Sequence, residues 1–497
     1  MLENFFIGFS LILQPFTLLL TLLGVIIGII FGAIPGLTGT MAVALCLPLT
    51  FGISPVNSMA ILIGLYIGAC SGGLISAILL NIPGTPSSVA TTFDGHPMAM
   101  KGEAGKALGV GIVYSFLGGL FSFLVLFFIA PPLAEWAVKI GPYEYFAITI
   151  FALTLIASVS GDSLLKGLIS GLIGMSLALV GISPIDGFPR FTFGIMELSA
   201  GINLLPALVG LFAVSELIKT SQENIDFSQK PTITHYKIRG FGFSWAEFRD
   251  QIGNFIRSSL IGTGIGILPG IGGNTSNILS YIAAKKLSKH PEKFGTGIID
   301  GIVASETANN ASIGGALVPL LTLGIPGDSV TAMLIGAFMI HGLTPGPLLF
   351  ENNSDLVYSI FAILIVANFI MIIVEFFGMR FFVRMLNIPK YILLPVIVVL
   401  CVVGAFGLNN RIFDAWIVLI FGALGYLLNT FQFPLTPTIL GFILTPLAEI
   451  YLRRGLQMAE GNFFLFFTKP ISAIFLILSL LSILFAIKKE IKNSISN

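Results

Sequence analysis

The chain has 497 residues, of which 55% are hydrophobic types and only 10% are charged, against about 25% charged in an average soluble protein. With a mean hydropathy of +0.98 and no Lys or Arg before Lys101, it has too little charge to cover a soluble surface, to neutralise a nucleic-acid backbone or to remain disordered. The net charge of +1 says nothing about partners. What is left is an all-α polytopic protein of the lipid bilayer, because the apolar runs are continuous and do not alternate as in a transmembrane barrel.

A spanning helix needs about 20 apolar residues. In chain order, full or partial spans are predicted at roughly 16–34, 58–80, 106–130, 143–160, 164–181, 199–218, 254–268, 297–323, 328–342, 356–380, 391–408, 412–430, 436–450 and 470–487. Some are too short or too Gly-rich to cross unaided, so about 10–12 crossings with broken or re-entrant pieces are expected. The start, Met1-Leu2-Glu3-Asn4, lacks a basic n-region, and the first apolar run is expected to be retained and not cleaved as a signal peptide. Cys46, Cys70 and Cys401 lie inside apolar runs without a CxxC partner and read as small buried hydrophobes.

The longest polar stretch, 219–257, carries Lys219, Lys230, Lys237, Arg239, Arg249 and Arg257 beside Glu223, Asp226, Glu247 and Asp250. The positive-inside rule places it in the cytoplasm, together with the tail holding Lys488, Lys489 and Lys492. The expected organisation is a first transmembrane half at 1–218, a cytoplasmic linker at 219–250 and a second half at 251–497.

The two halves can be laid over one another. Gly28-x3-Gly32-x2-Pro35-Gly36-x2-Gly39 matches Gly262-x3-Gly266-x2-Pro269-Gly270-x2-Gly273 at a constant offset of 234 residues. A second break follows in each: Asn81-Ile82-Pro83-Gly84-Thr85 and Gly324-Ile325-Pro326-Gly327-Asp328, preceded by the Gly pairs Gly72-Gly73 and Gly314-Gly315. Proline removes a donor and clashes with the preceding turn, and glycine lets the chain open. In lipid such breaks survive only where they are buried in protein or line a wet cavity. Paired Gly/Pro interruptions in two halves are a sequence pointer to a transporter site.

Ser258 to Leu268 is 11 residues, about 16 Å of helix and half a membrane. Basic residues flank the break on both sides, with Arg257 before it and Lys285, Lys286, Lys289 and Lys293 after it. This predicts a re-entrant hairpin opening to the cytoplasm. The uncharged turn from Thr50 to Ser58 would open on the other face, giving an inverted-topology repeat with both tips near the midplane.

The candidate binding residues are those of the breaks and the half-helices that follow. They are Pro35, Gly36, Thr38 and Gly39; Pro83, Gly84 and Thr85; Pro269, Gly270, Gly273, Asn274 and Thr275; and Pro326, Gly327 and Asp328. Helix N-termini with hydroxyl or amide side chains favour an anion, and opened carbonyls suit Na⁺. No Lys or Arg lies in any break, so a carboxylate would be held by dipoles, hydroxyls and a co-bound cation. The alternative is that these residues cap their own helices. In the polar run 300–312, Glu306 with Asn309 and Asn310 one turn on completes the set, since a carboxylate at membrane depth is a functional candidate by default. Asp94-Gly95-His96-Pro97 reads as an interfacial turn. Asp162, Asp186, Glu375, Asp414 and Glu449 read as charges near span ends. His96 and His341 have no ligand spacing around them, so no metal site and no cofactor are expected beyond a coupling Na⁺. HExxH, GxSxG, GxGD and a Walker A Lys are missing, which disfavours an enzyme.

Three segments carry a resemblance: Gly266 through Gly273, Asp94-Gly-His-Pro-Met-Ala, and Glu306-Thr-Ala-Asn-Asn-Ala through Met339-Ile-His-Gly-Leu-Thr-Pro-Gly-Pro-Leu-Leu-Phe350. They resemble the large membrane subunit of the tripartite tricarboxylate transporters, the TctA family, over nearly the whole chain. Ser305 stands where that family is expected to carry Pro. The resemblance implies a secondary transporter of the bacterial inner membrane. Its expected partners are a small membrane subunit (TctB-like) and a periplasmic solute-binding protein (TctC-like). It implies import of di- or tricarboxylates such as citrate with Na⁺ or H⁺ coupling. A passive channel or scaffold subunit of a membrane complex is the other reading that the breaks allow, and no nucleic-acid partner is expected.

Overall fold

The computed structural model describes residues 2–159, 163–183, 185–222, 242–385 and 390–496. Asp162 and most of the expected linker, with Glu223, Asp226, Lys230, His235, Lys237 and Arg239, lie outside the described residues. The principal helices are α1 (Leu2–Ile12), α2 (Pro15–Ala33), α3 (Gly39–Cys46), α4 (Pro55–Leu80), α5 (Val89–Met98), α6 (Ala104–Ala137), α7 (Pro142–Val159) and α8 (Leu164–Ala178). There follow α9 (Leu204–Gln222, a helical run with a π-turn inside it), α10 (Ile252–Ile267), α11 (Gly272–Leu287), α12 (Ile299–Leu323) and α13 (Ser329–Ile340). The last are α14 (Ser354–Met385), α15 (Lys390–Asn409), α16 (Ile412–Thr430), α17 (Leu435–Met458) and α18 (Pro470–Ser496). Among the described residues, the only sheet is a two-stranded antiparallel hairpin, Gly181–Ile182 with Pro189–Arg190.

Among the described residues, eight helices are long and apolar enough to cross a membrane, and five shorter apolar helices accompany them. The protein is thus an all-α polytopic membrane protein. It packs as two units: Met1–Pro132 with Lys219–Gly404, and Leu133–Ile218 with Ala405–Asn497. Each unit draws one segment from before Lys219 and one from Lys219 onward.

In the first unit, α2 packs on α4 and α10 packs on α12. The same device holds both pairs: glycines that let one backbone touch the other. Gly28 and Gly32 lie against the carbonyls of Leu65 and Ala69, and Gly262 and Gly266 against those of Ala308 and Ser312. These pairs correspond at offsets of 234 residues for the first helix (28 to 262) and 243 for the second (65 to 308). A Cβ at any of the four would collide with backbone, which is why small-xxx-small faces occur at close helix contacts.

The contacts move one element of the sequence alignment by a residue. Gly72 lies against the Ile29 carbonyl and Gly315 against the Thr263 carbonyl, so Gly72 answers to Gly315 and Gly73 answers to Ala316. The register is set by which Cα approaches the neighbouring helix, and a matching pair of letters does not settle it. The two offsets differ by nine residues (243 − 234). That insertion falls in the turn between α11 and α12.

The helix ends follow from local chemistry. Ile34 and Leu268 each precede a proline and are extended, with ψ 113° and 122°, because the proline ring disfavours helical backbone at the preceding residue. Asn81 and Gly324 end α4 and α12 in the left-handed conformation, φ 57° and 72°, the usual helix C-terminal stop.

In the second unit, α8 and α17 meet through Gly174 against the Thr438 carbonyl and Gly441 against the Gly171 carbonyl. Arg453 bridges Asp186 (2.7 Å) and Glu449 (3.0 Å), and Arg190 also meets Glu449 (2.8 Å). Asp414, in the first turn of α16, is buried and accepts from the Asn203 amide at 3.1 Å. Asp186 and Glu449 are therefore ion-paired, and Asp414 is an internal hydrogen-bond acceptor. Glu375 corrects the span-end reading outright: it sits well inside the 32-residue helix α14 at 0% exposure.

Candidate functional site

All four Gly/Pro breaks lie in the first unit and meet in a ring. Within each half the second break presses on the first helix. A Cβ at Gly84 would meet the Gly32 carbonyl and lie 3.0 Å from Gly73 Cα. A Cβ at Gly327 would lie 2.6 Å from the Gly266 carbonyl and 2.5 Å from Ala316 Cα. The two sets are equivalent under the repeat. Between halves, a Cβ at Gly39 would come 4.0 Å from Val330, and one at Gly273 would come 3.3 Å from Ser87 Cβ. These pairs too are equivalent, since 39 maps to 273 and 87 maps to 330. Thr40 Oγ1 and Ser329 Oγ are 3.0 Å apart, the Gly270 N–H donates to the Gly327 carbonyl at 2.8 Å, and the Asn277 amide donates to the Ser87 carbonyl.

The first tip, Pro35-Gly36, is half-buried, while Pro269-Gly270 is buried; both glycines have positive φ, 87° and 78°. Left-handed backbone at both tips is where only glycine fits without strain. Pro83 is half-buried and Pro326 fully buried.

Three of the half-helices cap themselves. Thr38 Oγ1 accepts from the Met41 N–H at 3.2 Å. Thr85 forms a capping box with Ser88, and Asp328 forms one with Thr331, again equivalent positions. The hydroxyls and carboxylate at these ends thus satisfy part of the orphan N–H groups. The start of α11 differs: its N-cap is Ile271, with no side-chain cap, and Asn274 and Thr275 are exposed. This is the one break whose following helix offers uncapped N–H groups beside exposed polar side chains.

Glu306, Asn309 and Asn310 are all buried on α12. The Glu306 carboxylate accepts from Thr91 Oγ1 on α5 and from Ser115 Oγ on α6 at 3.0 Å. Ser305 also meets Thr91, at 3.0 Å. Asn310 donates to the Glu306 backbone carbonyl at 3.1 Å, an i−4 bond within the helix. Asn309 reaches α4: its amide donates to the Cys70 carbonyl at 3.1 Å, and the Cys70 thiol donates to Asn309 Oδ1 at 3.0 Å.

Tyr66 was not singled out by the sequence, and its hydroxyl donates to Asp328 Oδ2. The repeat register would have found it, since position 66 maps to Asn309. Ser87 belongs to the hydroxyl-rich start of the half-helix after Pro83-Gly84, and Asn277 extends the polar run Asn274-Thr275-Ser276, whereas Cys70 had no such signal, being a single polar atom in an apolar run.

Asp94 is a keystone, not an interfacial turn. It is fully buried on α5, and its Oδ1 accepts from the backbone N–H groups of Gly295 (2.9 Å), Gly297 (2.8 Å) and Ile298 (3.2 Å). Its Oδ2 accepts from the Tyr281 hydroxyl at 2.9 Å. The three N–H groups it holds lie in the turn that carries the nine-residue insertion, so the carboxylate ties the added loop of one half to a helix of the other. Nearby, Lys106 and Ser244 hydrogen-bond to Glu247 and hold its carboxyl down, at about 2.

Chemically, the ring joins helix ends, opened backbone and neutral polar side chains in a place built from both halves. Such a place can hold an anion by N–H groups and hydroxyls and a cation by carbonyls. Comparison with known proteins gives relatives and a family. The chain is 38% identical over 493 residues to an uncharacterised 52.8 kDa protein in the TAR-I ttuC' 3' region of Agrobacterium vitis, covering 99% of this chain and 97% of that one. It is also 38% identical over 232 residues to an uncharacterised protein in the TAR-II ttuC' 3' region of the same organism, covering 47% of this chain and 96% of that one. No solved structure matches it. Residues 18–440 match the tripartite tricarboxylate transporter TctA family, and the chain belongs to that family.

Proposed function

We propose that the chain is the large permease subunit of a binding-protein-dependent secondary transporter in a bacterial inner membrane. It would import di- or tricarboxylates such as citrate, driven by Na⁺ or H⁺. Its partners would be a small membrane subunit and a periplasmic solute-binding protein. The candidate residues of the four breaks would frame the substrate, with the uncapped start of α11 meeting a carboxylate group and the tips at Pro35-Gly36 and Pro269-Gly270 offering carbonyls to a cation. Family membership supports the general reading, and the observation that carries the site is the closure of all four breaks into one ring in one packed unit. With no Lys or Arg in the breaks, the substrate charge has to be met by dipoles and a co-transported cation.

The test is uptake of labelled citrate into proteoliposomes holding the chain, its small membrane subunit and the binding protein. Accumulation above the outside concentration is expected under an imposed Na⁺ or proton gradient, and none without the binding protein. Uptake that ignores both gradients would point to a passive channel.

A further inference from the structure

The first unit holds a second buried carboxylate, away from the breaks. Glu375 on α14 is 0% exposed, its Oε2 accepts from Ser71 Oγ on α4 at 2.9 Å, and its Oε1, equally buried, has no hydrogen-bond partner. Glu306 is differently placed, since both its oxygens receive hydroxyl donors. None of the ion pairs formed among the described residues involves Glu375. The elements packed on α14 bring these titratable groups: Tyr66 and Cys70 on α4, Glu3 on α1, Glu351 on the preceding short helix, Lys106, Tyr114 and Glu135 on α6, which touches α14 through Phe116 against Phe369 and Gly119 against Asn368, and none on α2. α14 itself adds Asp355, Tyr358, Arg380 and Arg384, and Glu306 on α12, which also packs on α4, is a second carboxyl.

A bare carboxylate in such a place costs so much that it takes up a neutralising partner. A metal ion would need several oxygen ligands, and this carboxylate meets one hydroxyl. A proton needs only the carboxyl itself. The neutral acid can also reverse its bond and donate to Ser71 Oγ, because a serine hydroxyl both gives and accepts.

We propose that Glu375, braced by Ser71, is a proton-carrying site separate from the four breaks. Its carboxylate takes one proton from water on one side of the membrane, forming an O–H bond, and returns it to water on the other side. The group is sealed in this conformation, so exchange requires α4 and α14 to part. The proposal rests on the transport reading above and selects H⁺ from its two coupling ions.

Two measurements test it. Infrared spectra of the full chain in membranes at neutral pH should contain a buried carboxylic-acid C=O band that Glu375→Gln removes; superimposable spectra overturn the proposal. Should that variant fold poorly, Ser71→Ala must shift the same band by removing its hydrogen bond, and an unmoved band is equally fatal. In proteoliposomes with the partner subunits, Glu375→Gln, which mimics the neutral acid, should keep citrate exchange within about twofold of wild type. It should lose proton-driven net accumulation by at least about tenfold, a change of about 1.4 kcal/mol. Undiminished proton-driven accumulation in the variant overturns the site. Wild-type accumulation on a Na⁺ gradient alone overturns it while leaving the transport reading intact. Wild-type protein that neither exchanges nor accumulates citrate overturns both.

Discussion

Gly327→Ala should cut uptake at least about tenfold, and Gly84→Ala should do the same. The added Cβ at position 327 would sit 2.5 Å from Ala316 Cα and 2.6 Å from the Gly266 carbonyl oxygen. Both are backbone atoms of packed helices and cannot rotate away. Position 84 meets the equivalent atoms, the Gly32 carbonyl and Gly73 Cα, with Ser76 Oγ also at 2.6 Å. Overpacking of this kind costs about 1–3 kcal/mol. The strain falls on the break itself, where Gly270 donates to the Gly327 carbonyl, so the ring is distorted before the rest of the unit unfolds. Gly264→Ala is the control, since a Cβ there meets nothing within 4 Å and replaces glycine by a better helix former. Citrate uptake and thermal unfolding in detergent check this. Full uptake in Gly327→Ala would show that the close approach of break and helix is not needed.

Asp94→Ala should destabilise the first unit by about 3 kcal/mol or more. It strips the acceptor from three backbone N–H groups and from the Tyr281 hydroxyl, and a donor left without its partner costs about 1–3 kcal/mol where it is buried. Asp94→Asn should recover part of the loss. It keeps one carbonyl oxygen for the three N–H groups, and its amide can donate to the Tyr281 oxygen. The loop between α11 and α12 carries Lys289 and Lys293, so trypsin reports the effect directly: cleavage there should quicken in Asp94→Ala and less so in Asp94→Asn. An unchanged melting temperature and cleavage rate in Asp94→Ala would remove the keystone role.

The sequence revealed the breaks because Gly and Pro announce backbone geometry by themselves. Pro35-Gly36 and Pro269-Gly270 open where expected, and the constant offset of 234 residues reappears as paired close contacts at Gly28 and Gly262 and at Gly32 and Gly266. The register after the breaks was less legible. Gly73 and Ala316 occupy equivalent places with different letters, and only the contact with a neighbouring backbone identifies them.

Side-chain roles were the least readable. Thr38, Thr85 and Asp328 read from the sequence either as ligand contacts or as caps of their own helices, and the structure shows the caps, because the N-cap side chain lies within reach of the free N–H groups of its own first turn. Tyr66, Cys70 and Asn277 each lie in a helix that periodicity cannot orient, and their partners are on segments about 190 to 260 residues away. Asp94 and Glu375 were read as peripheral charges because a charge in a membrane protein is most often near an interface. Burial reverses both readings: one holds a loop, and the other has no cation to hold.

The claim that the two halves are inverted in the membrane, so that their breaks close one site from opposite faces, is tested most directly by sided labelling. Gly52→Cys lies in the exposed turn after α3, and Lys286→Cys lies at the equivalent position, offset by 234, near the exposed end of α11. Cys46, Cys70 and Cys401 are all buried, so the natural thiols give a low background. A membrane-impermeant maleimide is expected to reach Gly52→Cys only from the periplasmic face and Lys286→Cys only from the cytoplasmic face. Reaction of both positions from the same face would contradict the inverted repeat.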